Sequence, residues 1–148
     1  MEIVSNNPLI IIDFAHTPDG MEKVLSAVSG KKIVLFGAGG NRDKAKRSLM
    51  GKVADKYGEY IILTEDNPRC EKSEDICKEI AKGIKNKPFE IITNRKKAIK
   101  KAVELAKKNN FTLMILGKGD ENYIEYCDKK VDYSDRETVL EEVKSERG

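Results

Sequence analysis

The chain has 148 residues, 39% of them hydrophobic and 36% charged, with 28 basic and 25 acidic side chains and a net charge of +3. That length supports one domain with a core of its own, and no apolar stretch approaches the roughly 18 residues of a membrane span. Residues 1–8 lack the basic and apolar regions of a secretory leader, and three cysteines (Cys70, Cys77, Cys127) without a C-x-x-C pair read as reduced thiols in a cytoplasmic setting.

In chain order, the apolar run 9–12 (Leu-Ile-Ile-Ile) reads as a strand buried on both faces. Thr17 and Asp19 offer caps for a helix with Met21, Val24, Leu25 and Val28 on its inner side, ended by Gly30. Residues 32–36 form the second strand. Leu49, Met50, Val53, Ala54 and Tyr57 mark the second helix, closed by Gly58. A third strand spans 60–64. Ser73 is a candidate cap for a helix carrying Ile76, Ile80 and Ile84, with Glu74 and Asp75 suited to its positive start. A fourth strand spans 89–93, Asn94 caps a long helix with Ala98, Ile99, Ala102, Val103 and Ala106 inward, and a fifth strand spans 111–116. Lys96, Lys97, Lys100, Lys101, Lys107 and Lys108 lie on that long helix; with no aromatic residues among them to stack bases, they read as a solvated face and not as a nucleic-acid surface. Residues 123–127 and 130–133 suggest a hairpin adding an antiparallel edge. Ser134 or Asp135 then caps a last helix with Val139, Leu140 and Val143 apolar. Five strand–helix alternations predict an α/β domain, Rossmann-like and doubly wound, with a mainly parallel sheet and an antiparallel edge hairpin near the C-terminus.

Four polar loops follow these strands: Asp13-Phe-Ala-His-Thr-Pro-Asp19, Gly37-Ala-Gly-Gly-Asn-Arg-Asp43, Asp66-Asn-Pro-Arg69 and Gly117-Lys-Gly-Asp-Glu121. In an open α/β sheet, ligands bind outside the carboxyl ends of the strands, so all four loops should share one rim. The glycine-rich loop is a poor dinucleotide fingerprint, because Arg42 stands where the third glycine belongs. As a backbone nest for an anion, with Arg42, Lys44, Lys46 and Arg47 beside it, it is well suited. The chain contains no G-x-x-x-x-G-K-[ST], so it does not hold a triphosphate by itself. Arg69 can grip a carboxylate through two hydrogen bonds, and Asn67 can both donate and accept. His16 is the single histidine, and no second histidine or cysteine spacing supports a metal site.

Taken together with Asp132-Tyr-Ser-Asp-Arg136, these loops resemble the C-terminal domain of the Mur ligases over nearly the whole chain, with the nearest likeness to the members that add meso-diaminopimelate. The resemblance implies an ADP-forming amide ligase: a carboxylate of UDP-MurNAc-L-Ala-D-Glu is phosphorylated by ATP, and the amine of the incoming amino acid displaces phosphate from the acyl phosphate. Carried over by position, Asp13, His16 and Lys46 would contact ATP, while Arg42, Asn67, Arg69, Gly117 and Glu121 would hold the amino acid. No residue of the chain is expected to be catalytic. ATP and Mg2+ would be held mainly by a central ATPase domain, which is absent from the chain together with the UDP-sugar domain. Residues 1–148 would be the amino-acid-binding lid, inactive alone. Its partners would be UDP-MurNAc-dipeptide, meso-diaminopimelate, ATP and that central domain, with no nucleic acid and no membrane. Phe14 stands where the family has tyrosine, and Asp120 where it has histidine, so an analogue such as lanthionine stays beside diaminopimelate as the amino acid. A free-standing amino-acid or nucleotide-binding module, a murein-peptide recycling ligase and a folylpolyglutamate synthetase are the alternatives.

Overall fold

In the computed structural model, which describes residues 1–41 and 43–145, the chain runs β1 (Glu2–Asn6), β2 (Leu9–Asp13), α1 (Pro18–Ala27), β3 (Lys32–Phe36), α2 (Ala45–Tyr57), β4 (Tyr60–Leu63), α3 (Ser73–Ala81), β5 (Phe89–Ile91), α4 (Arg95–Asn109), β6 (Thr112–Leu116), β7 (Tyr123–Glu125), β8 (Lys130–Asp132) and α5 (Asp135–Ser145). Six strands form one sheet in the order β1-β2-β6-β3-β4-β5. β2 to β5 and β6 pair in parallel, and β1 runs antiparallel to β2 at the edge.

Side chains alternate between the two faces of a strand, and here both faces are covered. Ile11, Val34, Phe36, Ile61, Leu63 and Met114 pack under α1, α2 and α3. Ile10, Ile12, Ile33, Leu35, Leu113 and Ile115 pack under α4 and α5. This burial on both sides is why these strands are continuous apolar runs. The caps follow local chemistry: Thr17 Oγ1 accepts from the Gly20 amide at 3.0 Å, Asn94 Oδ1 from Lys97 at 2.9 Å and Ser134 Oγ from Glu137 at 3.2 Å. On the outer side of α4, Lys96, Lys97, Lys100, Lys101 and Lys108 are exposed and Lys107 is half-buried.

Three expectations change. The antiparallel edge of the main sheet is β1, while the hairpin β7–β8 forms a two-stranded sheet of its own. β1 is hard to read because it is a half-exposed edge strand with Glu2, Ser5 and Asn6 among its five residues. Ser73 is the first residue of α3 and not its cap, and Lys72 in the cap position makes no side-chain cap bond; Ile84 lies beyond the helix end yet is buried. Finally, Cys70 and Cys127, 57 residues apart, are joined in a disulfide, leaving only Cys77 free and buried. Sequence spacing hides that pairing, because only the fold lays the segment after β7 beside the loop after β4.

Candidate functional site

The order β2-β6-β3-β4 sets four strand ends side by side. The loops leaving them surround a cavity of about 510 Å³. Phe14, His16 and Thr17 come from the first loop, Gly37, Ala38 and Gly39 from the second, Asp66, Asn67 and Arg69 from the third, and Gly117 and Glu121 from the fourth; Lys46 and Arg47 of α2 complete the wall. Six of the eight sequence-expected residues therefore line one space: His16, Lys46, Asn67, Arg69, Gly117 and Glu121. Asp13 ends β2 beside it, where Oδ2 accepts from the Ala15 amide at 2.8 Å and Oδ1 lies 2.9 Å from the amino group of Met1. Arg42 lies outside the described residues.

The exposed His16 is oriented by its own loop. Nδ1 lies 3.0 Å from the Phe14 carbonyl oxygen, and a carbonyl can only accept, so Nδ1 carries the proton. The Phe14 ring meets the imidazole edge-on at 4.9 Å. In the glycine-rich loop, the Gly40 amide donates to the Asn67 carbonyl at 2.8 Å. A Cβ on Gly40 would lie 1.8 Å from the Pro68 carbonyl oxygen, so only glycine permits this approach of the second loop to the third.

Behind that loop, the buried Arg47 bridges two carboxylates. Nη2 donates to Glu71 at 2.6 Å and Nη1 to Glu79 at 2.8 Å, while Nη2 also reaches the Gly39 carbonyl at 3.1 Å. Glu71 in turn accepts from the Asn41 amide at 2.7 Å. The Arg47 hydrogen bond, reinforced by that amide and by Lys44, lowers the Glu71 carboxyl to about 2 despite its desolvation. Arg47, read in the sequence as an anion contact, is thus already neutralised by carboxylates and serves to shape the loop.

Arg69 takes the left-handed backbone (φ 53°). Its amide donates to the Glu125 carbonyl at 3.0 Å, Nε to the Glu125 carboxylate at 3.1 Å and Nη1 to the Gly40 carbonyl at 2.9 Å. β7 is therefore the brace of this loop, and the Cys70–Cys127 disulfide closes the same seam. Nη2 makes no hydrogen bond within the chain among the described contacts, and the side chain, 21% exposed, borders the cavity.

Lys118 is fully buried. Nζ donates to Asn67 Oδ1 at 2.9 Å, Glu121 Oε1 at 3.0 Å and Asp66 Oδ1 at 3.3 Å. Deeper still, Arg95 forks onto both oxygens of Asp135 at 2.8 Å and reaches the carbonyls of Glu65 and Leu116, at the ends of β4 and β6. Burial opposes ionisation of Asp135, and the Arg95 charge overrides it, holding the carboxyl below its usual range. Burial and a hydrogen bond to Glu65 push Tyr126 up to about 12. Lys118, Glu125 and the Arg95–Asp135 pair escaped sequence reasoning. Lys118 lies between two glycines that alone suggest a turn, and Asp135 sits at a helix start where a carboxylate suggests only a cap. Among the described residues no group of three His, Cys, Asp or Glu side chains could hold a metal ion, and no helix is long and apolar enough to cross a membrane.

A doubly wound α/β domain with a ligand-sized cavity at its strand ends, walled by cations and carboxylates, is a fold and site suited to a charged amino acid or nucleotide. Residues 1–119 match the family model described as Mur ligase, glutamate ligase domain, and the chain belongs to that family. It is 52% identical over 141 residues to the UDP-N-acetylmuramoyl-L-alanyl-D-glutamate--2,6-diaminopimelate ligase of Helicobacter pylori (strain J99), covering 94% of this chain and 31% of that protein. It is 51% identical over 137 residues to the ligase of the same name from Aquifex aeolicus (strain VF5), covering 89% and 28%. A solved structure of a UDP-N-acetylmuramoyl-L-alanyl-D-glutamate--2,6-diaminopimelate ligase superposes with a TM-score of 0.92 at 34% identity, covering all of this chain and 32% of that one. The chain thus spans about a third of the length of the relatives it matches.

Proposed function

We propose that this chain is the C-terminal, amino-acid-binding domain of an ADP-forming ligase that joins meso-diaminopimelate, or a close analogue, to UDP-MurNAc-L-Ala-D-Glu in peptidoglycan precursor synthesis. The observation that carries this reading is the meeting of Asn67 and Arg69 with Gly117 and Glu121, from loops some fifty residues apart, on one cavity. Diaminopimelate carries a carboxylate and an ammonium on its distal carbon. Arg69 would take the first and Glu121 the second, with Arg42 and Asn67 completing the grip. A lysine substrate offers no carboxylate to Arg69, and its ammonium would meet a like charge.

ATP would lie toward the other side of the cavity. Asp13 and His16 would face the ribose, with His16 Nε2 presented as an acceptor, and Lys46 and the glycine-loop amides would face phosphate. In this reading the magnesium ion and the triphosphate grip would belong mainly to a central ATPase domain, since Mg2+ is usually held by one or two carboxylates together with the nucleotide's phosphates. This domain would close over that one as a lid, making the amino-acid subsite part of a shared active site. UDP-MurNAc-dipeptide would enter from the partner domains, and the cytoplasm, where nucleotide-activated sugars are built, would be the compartment.

The test is calorimetric titration with meso-diaminopimelate, L-lysine and ATP, repeated with Arg69→Ala. Diaminopimelate binding that exceeds lysine binding and is lost in the variant supports the assignment. Equal affinity for the two amino acids overturns it.

A further inference from the structure

The ammonium of Lys118 has three N–H donors, and the structure gives it three acceptors from three residues: Asn67 Oδ1, Glu121 Oε1 and Asp66 Oδ1. With every donor engaged and no exposed surface, it has nothing left to offer a ligand. Its role lies in what it does to its neighbours.

Asn67 Oδ1 accepts from Lys118 Nζ and from the Glu125 amide, both at 2.9 Å. Two donors facing one end of the amide require oxygen there, so Nδ2 must turn to the opposite side, where it donates to Glu121 Oε1 at 3.1 Å. One N–H of Nδ2 remains for the cavity. Glu121 Oε1 is likewise engaged twice, by Lys118 and by Asn67, which leaves Oε2 as its open acceptor. A single buried charge thus fixes the facing of one amide and one carboxylate, both of which border the cavity with Arg69. The Tyr123 ring, centred 5.7 Å from Nζ, closes the remaining side.

We infer that Lys118 is a positioning residue that sets ligand selectivity, by presenting one Asn67 donor and one Glu121 acceptor and by offsetting the charge of Asp66 and Glu121. The inference rests on the amino-acid-binding reading of the cavity. With Lys118 in place, one cation offsets part of the charge of two carboxylates, and a ligand end bearing both a carboxylate and an ammonium meets partners for each. Without it, two uncompensated carboxylates would repel the ligand's carboxylate and still attract its ammonium. The variant site should therefore lose diaminopimelate while keeping lysine.

Lys118→Met nearly conserves side-chain volume but strands two partly buried carboxylates, a change that can prevent folding. The informative variant is Lys118→Met combined with Asp66→Asn, which keeps the cluster's net charge and retains Glu121. Two measurements on the 148-residue chain are made together. The first is hydrogen exchange of the Asn67 side-chain amide by NMR, with the β4 and β6 backbone amides as the folding control. The second is the ratio of affinities for meso-diaminopimelate and L-lysine. The expected result is intact backbone protection, lost protection of the Asn67 amide, and a preference for diaminopimelate that falls about tenfold or more, the scale of one lost charged hydrogen bond. A folded variant with an unchanged Asn67 amide and an unchanged preference overturns the inference. If the wild-type chain binds neither amino acid, the amino-acid reading fails in the isolated chain, and the exchange measurement alone decides whether Lys118 positions Asn67.

Discussion

Arg69 keeps a backbone angle that costs an L-residue roughly 1–2 kcal/mol, and its amide and side chain are both held by Glu125. Two replacements separate these effects. Arg69→Gly relieves the angle and Arg69→Ala does not, so the glycine variant should be the more stable by about 1 kcal/mol in urea unfolding. Both should lose about 1.5–3 kcal/mol of diaminopimelate affinity, the range of a charged hydrogen-bond contact, with little change for ATP. Glu71 gives a pH signature. Its carboxyl lies at about 2 in the folded chain against an ordinary 4.5, so the stability it contributes is complete above pH 4.5 and is lost as pH falls toward 2. Thermal melts of Glu71→Gln across that window should show a shallower acid slope than the parent. At this scale the sequence was readable in where its motifs would meet, since Asn67, Arg69 and Glu121 line one cavity. It was silent where burial created the role, because nothing in Gly117-Lys-Gly119 says that the lysine points inward.

Among the elements, the hairpin β7–β8 has the least core of its own, with Ile124 alone buried across its strands. It is held instead by the loop after β4, through Glu125, the Tyr126–Glu65 hydrogen bond and the Cys70–Cys127 bond. Closing a loop of this length is worth roughly 4 kcal/mol on a chain-entropy account. Denaturant midpoints with and without a strong reductant should therefore separate in the parent and coincide in Cys70→Ser. Cys77, its thiol raised to about 12 chiefly by burial, should resist alkylation in both states until the chain unfolds. The helix ends offer a second test. Asp135→Ala leaves the Arg95 guanidinium buried without its carboxylate, a change that costs about 3–5 kcal/mol, and should loosen the ends of β4 and β6 in hydrogen exchange before the rest of the sheet. The doubly covered strands were legible because their apolar runs have no alternative explanation. β1 and the disulfide were not, since an edge strand is patterned for water and a cross-link depends on distances the linear chain conceals.

Across the whole molecule, the connections β2–α1–β3–α2–β4–α3–β5 advance in one direction and α4 then returns, so that β6 fills the gap left between β2 and β3. This return puts α1, α2 and α3 on one face and α4 and α5 on the other. It also places the Gly117-Lys-Gly-Asp-Glu121 loop between the first two loops, at the middle of the rim. A chain cut after Asn110 should keep helical content yet show no cooperative unfolding transition, because β2 and β3 would each present an unpaired inner edge. The consequence reaches protein synthesis. A ribosome delivers residues from the amino end, so β2 and β3 are made before β6, the strand that lies between them in the folded sheet. The strand that joins them comes after both, followed directly by the loop whose Gly117 and Glu121 border the pocket. Nascent chains stalled before β6 emerges should be cut readily by protease, and stalling well beyond α5 should abolish that sensitivity.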